Sequence, residues 1–265
     1  MSDISIAQQK YLSARKRHHR TVVCSRFLIF VLFAGLWEGS TALGLLDSFI
    51  FSSPSKVLLC FYQMLMDKSL LNHIGITLME TVVSFFLVIL CALLITVLLW
   101  FNQKLSETLE PYLVILNSLP KSALAPLLIV WLGANYKTII VTGMSVAIFG
   151  SILSLYTSFQ SVDPEKIKLI YSLGGTRRHV MTKVILPSNI PALFSLMKVN
   201  IGLCLVGVII GEFIAARSGL GYLIIYGSQV FKLDWVIMSI VLLCIMAMLL
   251  YGLLGLAEKR YLKKL

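Results

Sequence analysis

An all-α polytopic membrane protein of about six transmembrane helices is the fold class that the sequence predicts. Three observations carry it. The 265 residues are 58% hydrophobic and only 13% charged, about half the charge of a typical soluble domain. Several apolar runs reach the roughly 20 residues that a helix needs to cross a bilayer. Lys and Arg concentrate in the two tails and one internal stretch, where membrane topology alone accounts for them. The formal net charge of +11 therefore gives no reason to expect a nucleic-acid partner; the lipid membrane is the expected surrounding.

The spans are expected at about 22–45, 74–101, 112–133, 137–159, 190–212 and 233–257, the third broken by Pro120 and Pro126. The first follows a basic tail, but its apolar run is too long for the core of a signal peptide and lacks a clean cleavage site, so it reads as a retained span. The chain divides into a basic tail 1–21, a transmembrane domain 22–257 that includes a loop at 160–189, and a basic tail 258–265. Placing the Lys- and Arg-rich segments inside puts both termini and that loop in the cytosol. Residues 46–73 then lie outside, with KVLLCFYQMLMD amphipathic enough to rest at the interface. Gly207 and Gly211 form a GxxxG pattern in span five, which suits close helix packing. The five cysteines show no metal spacing and read as small core residues.

The loop is the longest interruption between apolar spans, and it is patterned. Asp163 can cap a helix starting at Pro164; Ile167, Ile170 and Leu173 fall at helical spacing; Gly174 and Gly175 end it. Thr176 can cap a second short helix in which Val180 and Val184 share a face, with Pro187 and Pro191 ending it. Lys166, Lys168, Arg177, Arg178 and Lys183 make the stretch basic. Two amphipathic helices around a glycine pair suit docking on something cytosolic.

Polar residues at membrane depth are costly and need partners. Glu38 and Glu80 are expected near outer span ends, at the interface or snorkelling. Lys121 and Lys198 read equally as snorkelling lysines or as path-lining cations that would suit an anionic solute. Asn117 precedes Pro120, and Asn200 lies inside span five; a wet cavity or an interhelix contact would serve either. Glu212, at the outer end of span five, either braces a pathway or pairs at a span end. Asn117, Pro120, Asn200 and Glu212 are the candidate path residues. No P-loop pattern GxxxxGK[ST], HExxH or GxSxG occurs, so no ATP site, metal site or catalytic residue is expected in this chain.

Within the loop, LGGTRRHVMTKVILP resembles the cytosolic signature of permease subunits of binding-protein-dependent ABC importers: EAA, three residues, Gly, nine residues, Ile-x-Leu-Pro. Gly174 takes the glycine; Val184, Leu186 and Pro187 take the end; the EAA positions hold Lys168, Leu169 and Ile170. WEGSTALGLLDSFIFSSPSKVL, PYLVILNSLPKSALAPLLIVWLGAN and GVIIGEFIAARSGLGYLI are similar to the first, third and fifth spans of the branch that imports nitrate, sulfonates and taurine. The resemblance implies the type I importer permease fold in a bacterial plasma membrane. It also implies a homodimer, two ABC ATPase subunits that bind ATP and Mg, and a solute-binding protein outside. Lys168, Ser172, Leu173, Gly174, Gly175, Thr176, Arg177, Arg178 and Pro187 are the residues it implies for ATPase coupling. A stand-alone secondary transporter would need buried ion sites near mid-membrane, and an intramembrane enzyme would need convergent polar residues; the docking loop favours the permease over both.

Overall fold

The structure, a computed structural model, describes residues 6–263; residues 1–5 of the expected basic tail, and Lys264 and Leu265, lie outside the described residues. It is helical throughout, with no strand among the described residues. The helices are α1 (Ile6–Ala42), α2 (Ser48–Phe51), α3 (Pro54–Met66), α4 (Ser69–Phe101), α5 (Gln103–Ser118), α6 (Lys121–Leu132), α7 (Tyr136–Gln160), α8 (Pro164–Ser172), α9 (Arg177–Val180), α10 (Leu186–Ser188), α11 (Ile190–Ala215), α12 (Leu220–Gln229) and α13 (Leu233–Leu262). Five are long and apolar enough to cross a membrane, and the pair α5–α6 makes a sixth if counted as one broken span.

The expected third span is not a straight helix. α5 and α6 meet at 98°. Leu119 precedes a proline and is extended, with ψ 141°, as the proline ring demands of its predecessor. Pro120 caps α6, whereas Pro126 sits inside α6 without ending it, so only the first proline breaks the span. The carbonyls freed at the end of α5 are taken up by Lys121, whose Nζ donates to Leu116 O at 2.6 Å and Asn117 O at 3.0 Å. A cation on a helix C-terminus also suits the macrodipole.

α4, α7 and α11 pack closely into the centre of the bundle. Glycine makes the approach possible. A β-carbon on Gly207 of α11 would lie 2.8 Å from the Gly143 Cα of α7 and 3.0 Å from Thr142 O. Ser84 of α4 donates to its own helix at Glu80 O and sits 3.1 Å from Ile140 O of α7. Phe85, Val88, Ala147, Ile201 and Cys204 fill the space between the three helices.

Helix α1 stands apart, packed mainly on α2 and α3. Glu38 is not merely interfacial: its carboxylate accepts the Ser55 N–H at 3.0 Å and the Ser55 hydroxyl at 2.8 Å, at the first turn of α3. That adds an acidic partner to a helix N-terminus already capped by Ser53 and opened by Pro54. Near the other end of the bundle, Lys198 of α11 is ion-paired with Glu258 of α13 and lies 5.9 Å from the Tyr251 ring centroid.

The connection from the loop into α11 is helical almost without pause. Val180 leads into a π-helical turn, Met181–Ile185, then α10 and α11. Pro187 therefore does not end a helix, as the sequence pattern suggested. The wide turn is the reason: Leu186 N–H bonds Met181 O, five residues back, and loosens the coil where Pro187 lacks a donor and would crowd the preceding turn. The five cysteines are free. Cys60 and Cys204 are buried, but Cys24 and Cys244 are exposed, so only some are core residues. Burial, with Asp234 adding to it, pushes the Cys60 thiol up to about 11.

The glycine contact gives a prediction. Gly207→Val should destabilise the purified chain by about 1–3 kcal/mol, the usual cost of forcing volume into a packed core. Gly202→Ala should be close to neutral, because nothing lies within 4 Å of a β-carbon there. Thermal unfolding in detergent checks both, and equal melting temperatures for Gly207→Val and the wild type would remove the packing account.

Candidate functional site

Two polar constructions stand at opposite ends of the bundle. The first is the 160–189 loop. Asp163 caps α8 through Glu165 N at 2.9 Å. α8 ends in paired bonds, Gly175 N to Ile170 O at 2.8 Å and Gly174 N to Tyr171 O at 3.0 Å, the Schellman pattern that favours glycine. The two glycines serve for different reasons. Gly174 has φ +77° with open space around it, so its role is conformational. Gly175 is the crowded one, since a β-carbon there would run into the Ile170 side chain and carbonyl. Thr176 N–H donates to His179 Nδ1 at 3.1 Å, which starts α9.

One face of this loop is anchored. Val180, Met181 and Ile185 are buried with Phe159, and Ile167, Ile170, Trp100 and Phe101 pack around them. Arg177 clamps the loop to α4: its Nη2 donates to Trp100 O at 2.8 Å, and the guanidinium lies 5.1 Å from the Trp100 ring and 5.9 Å from that of Phe101. Arg177 is thus held inward against α4. The other face is open. Leu169 is 58% and Leu173 76% exposed, among exposed Lys166, Lys168 and Arg178. Leu173 therefore leaves the inward face that its spacing with Ile167 and Ile170 suggested. Ser172 returns its hydroxyl to Lys168 O at 3.1 Å, and Pro187 is exposed.

The second construction surrounds Glu212, which is completely buried. Thr77 of α4 donates to Glu212 Oε1 at 2.6 Å and accepts Leu220 N–H at 2.8 Å. Gly221 N–H donates to Glu212 Oε2 at 2.5 Å. Gly219 N–H reaches His73 Nδ1 at 2.9 Å, while His73 stacks on Tyr222 with ring centroids 6.2 Å apart. The turn 218–221 is thereby wrapped around one carboxylate. Its glycines are required by that contact: β-carbons on Gly219 and Gly221 would collide with Glu212, and Gly219 has φ +124°.

Glu80 belongs to the same cluster. Expected at the interface, it is only 2% exposed, it follows Thr77 by one turn of α4, and its Oε2 has no hydrogen-bond partner. Neither Glu80, Thr77 nor His73 stands out in the sequence by a motif. A signal was nevertheless available, since His73, Thr77 and Glu80 occupy i, i+4 and i+7 of an apolar run, a polar stripe along one helix face.

The other path candidates do not join this cluster. Asn117 is exposed beside Gly150 of α7, where a β-carbon would lie 3.1 Å from Asn117 Oδ1. Pro120 is exposed at the α5–α6 bend. Asn200 is buried, and its Nδ2 has no hydrogen-bond partner. A cleft of about 360 Å³ between α7 and α11, lined by Ser154, Ser158 and Ser195 among apolar residues, escaped sequence reasoning because isolated serines in a span carry no pattern. No group of three or more His, Cys, Asp or Glu suited to a metal occurs among the described residues.

Comparison with known proteins agrees with this geometry. The family described as "Binding-protein-dependent transport system inner membrane component" matches residues 84–264. The riboflavin transport system permease protein RibX of Chloroflexus aurantiacus is 28% identical, over 84% of this chain and 83% of its own length. The taurine transport system permease protein TauC of Escherichia coli is 26% identical, over 87% and 86%. The formylaminopyrimidine transport permease protein ThiX of Halalkalibacterium halodurans is 24% identical, over 74% and 77%. Among solved structures, a chain of the MetNI methionine ABC transporter in an inward-facing conformation superposes with a TM-score of 0.61 at 20% identity, covering 75% of this chain and 97% of that one. The fold is that of type I importer permeases.

Thr77 is the residue on which the second construction tests most simply. Thr77→Val keeps the shape, removes a donor to Glu212 and strands the Leu220 N–H. A loss of about 1–3 kcal/mol is expected, read as a lower melting temperature of the purified chain. An unchanged melting temperature would mean that the Glu212 cluster does not hold the two helices together.

Proposed function

Since the chain belongs to the inner-membrane component family of binding-protein-dependent transport systems, we propose that it is the translocating permease subunit of an ATP-driven importer, docked through loop residues 164–185 on a separate ATPase chain. The observation that carries this reading is the two-faced loop. Its buried face is joined to α4, α7 and α10, and its open face offers Leu169 and Leu173 within a basic rim. An apolar knob of that kind, rigidly backed, suits a groove on a partner.

In this proposal the loop and both termini face the cytosol of a bacterial cell, as the Lys and Arg bias favours. ATP and Mg are bound and hydrolysed in the partner. A second copy of this permease completes the membrane unit, and a binding protein outside delivers the solute. When the ATPase moves the loop, Arg177 passes that motion to the end of α4 through the Trp100 carbonyl and ring. The serine-lined cleft between α7 and α11 offers hydroxyls for a passing solute. The names of the relatives, riboflavin, taurine and formylaminopyrimidine permeases, support a small organic solute. An anionic one loses the support sought in Lys121 and Lys198, because both are engaged within the chain, on carbonyls and on Glu258.

Leu173→Asp should weaken association with the ATPase about tenfold or more, the scale of losing one apolar anchor, with matching loss of ATP-dependent uptake in proteoliposomes. The fold of the permease itself should be unaffected, since Leu173 is exposed. Intact co-purification and uptake in that variant would refute the docking role.

A further inference from the structure

Two carboxyls are buried in the spans, Glu80 and Glu212. They differ in what holds them. Glu212 accepts from Thr77 and from Gly221 N–H, whereas Glu80 Oε2 has no hydrogen-bond partner. An open acceptor at membrane depth is expensive, and an ionisable side chain kept there points to a function. A carboxylate oxygen only accepts hydrogen bonds, so the missing partner is a donor.

The surroundings narrow what that donor is. Glu80 lines a cavity of about 240 Å³ between α4, the start of α7 and the end of α11. Arg217 lines the same cavity, and among the described residues it makes no ion pair. Asn135, a third polar lining residue, is already committed: Oδ1 accepts the N–H groups of Lys137 and Thr138, and Nδ2 donates to Leu132 O. Ile76, Ile139 and Ala215 supply an apolar wall. One small cavity thus carries an open acceptor and an open guanidinium that do not satisfy each other. Glu80 is buried and Arg217 is exposed, so the acceptor lies deep and the cation lies at the mouth.

We propose that this cavity binds a small zwitterion, with its ammonium group on Glu80 and its oxyanion on Arg217. The guanidinium fork matches an oxyanion in shape as well as in charge, and the apolar wall suits a short carbon link. The volume falls below the roughly 300 Å³ at which drug-sized pockets begin, which limits the ligand to a few heavy atoms. A lone anion would leave Glu80 facing like charge. A metal ion would meet the repulsion of Arg217, and no group of three or more His, Cys, Asp or Glu suited to a metal occurs among the described residues. The role of the site, as the first stop of the solute on the outer side of the membrane, rests on the permease reading; binding itself does not.

Binding is measured on the purified full chain by saturation-transfer NMR and by ligand-induced shifts in melting temperature. The probes are glycine, β-alanine and 4-aminobutyrate, zwitterions of rising length, with propylamine and propionate as controls that each carry one charge. At least one zwitterion should bind saturably with a Kd of about 1–10 mM, the scale that so few atoms allow, and both controls should bind about tenfold more weakly or worse. E80Q and R217Q should each weaken the zwitterion about tenfold or more, the loss of one charge-assisted contact. A cavity that takes water only, with no saturable binding of any zwitterion, overturns the proposal; so does a control that binds as well as the best zwitterion, or a zwitterion that binds R217Q as tightly as the wild type. Should E80Q not fold, R217Q decides, since Arg217 is exposed and outside the packed core. In the importer reconstituted with its ATPase and binding protein, R217Q should lower ATP-dependent uptake of the zwitterion that binds best. Binding that obeys these rules in a chain that supports no such uptake would count against the permease reading and leave the site standing.

Discussion

A polar group inside a bilayer has no water to turn to, and this constraint shapes three helix junctions of this chain. Where α5 breaks, Lys121 fills its open carbonyls. Where α3 begins, Glu38 reaches across from α1 to Ser55. Where α11 ends, its carboxylate Glu212 collects donors from α4 and from the turn that follows. Three hydroxyls along the spans follow the same rule: Ser84, Thr142 and Ser151 each donate to the carbonyl four residues before. Lys121, Lys198 and Glu212 each close or join helix ends in this way.

Helix α4 joins the two candidate sites. It runs from Ser69 to Phe101, about 50 Å at 1.5 Å per residue. Near its start Thr77 and Glu80 hold the Glu212 cluster; at its end Trp100 and Phe101 receive Arg177. α7 lies against it at Gly143, and α11 lies against α7 at Gly207 and Gly211, contacts that leave little slack. The loop is thereby backed by a rigid rod rather than by a compressible core. The loop and the turn are separated in space but share one mechanical element.

Much of this was legible in the sequence, and the losses have physical causes. The spans and the loop helices were readable because hydrophobic length and capping residues are local properties: Asp163, Pro164 and the Gly174–Gly175 pair act within a few residues of themselves. The burial of Glu80 was not readable, because nothing local tells which side of a helix a neighbour will cover. Glu80 looks interfacial by its distance from the span end and is only 2% exposed. Leu173 shows the reverse error, since helical spacing grouped it with Ile167 and Ile170, yet it lies past the last turn of α8, where the left-handed Gly174 directs the chain away. Pro187 was read as a stop because a proline ordinarily is one; the π turn before it absorbs the misfit instead.

The reach of the Glu212 contacts has a consequence for how the chain is made. Thr77 and Glu212 are 135 residues apart, so at about 5–20 residues per second α4 waits on the order of ten seconds for its partner to be synthesised. During that interval Glu80 and Thr77 sit in a nascent span with no acceptor or donor opposite. A carboxyl that keeps its proton can stay in lipid through the wait, whereas an ionised one would draw the start of α4 back toward water.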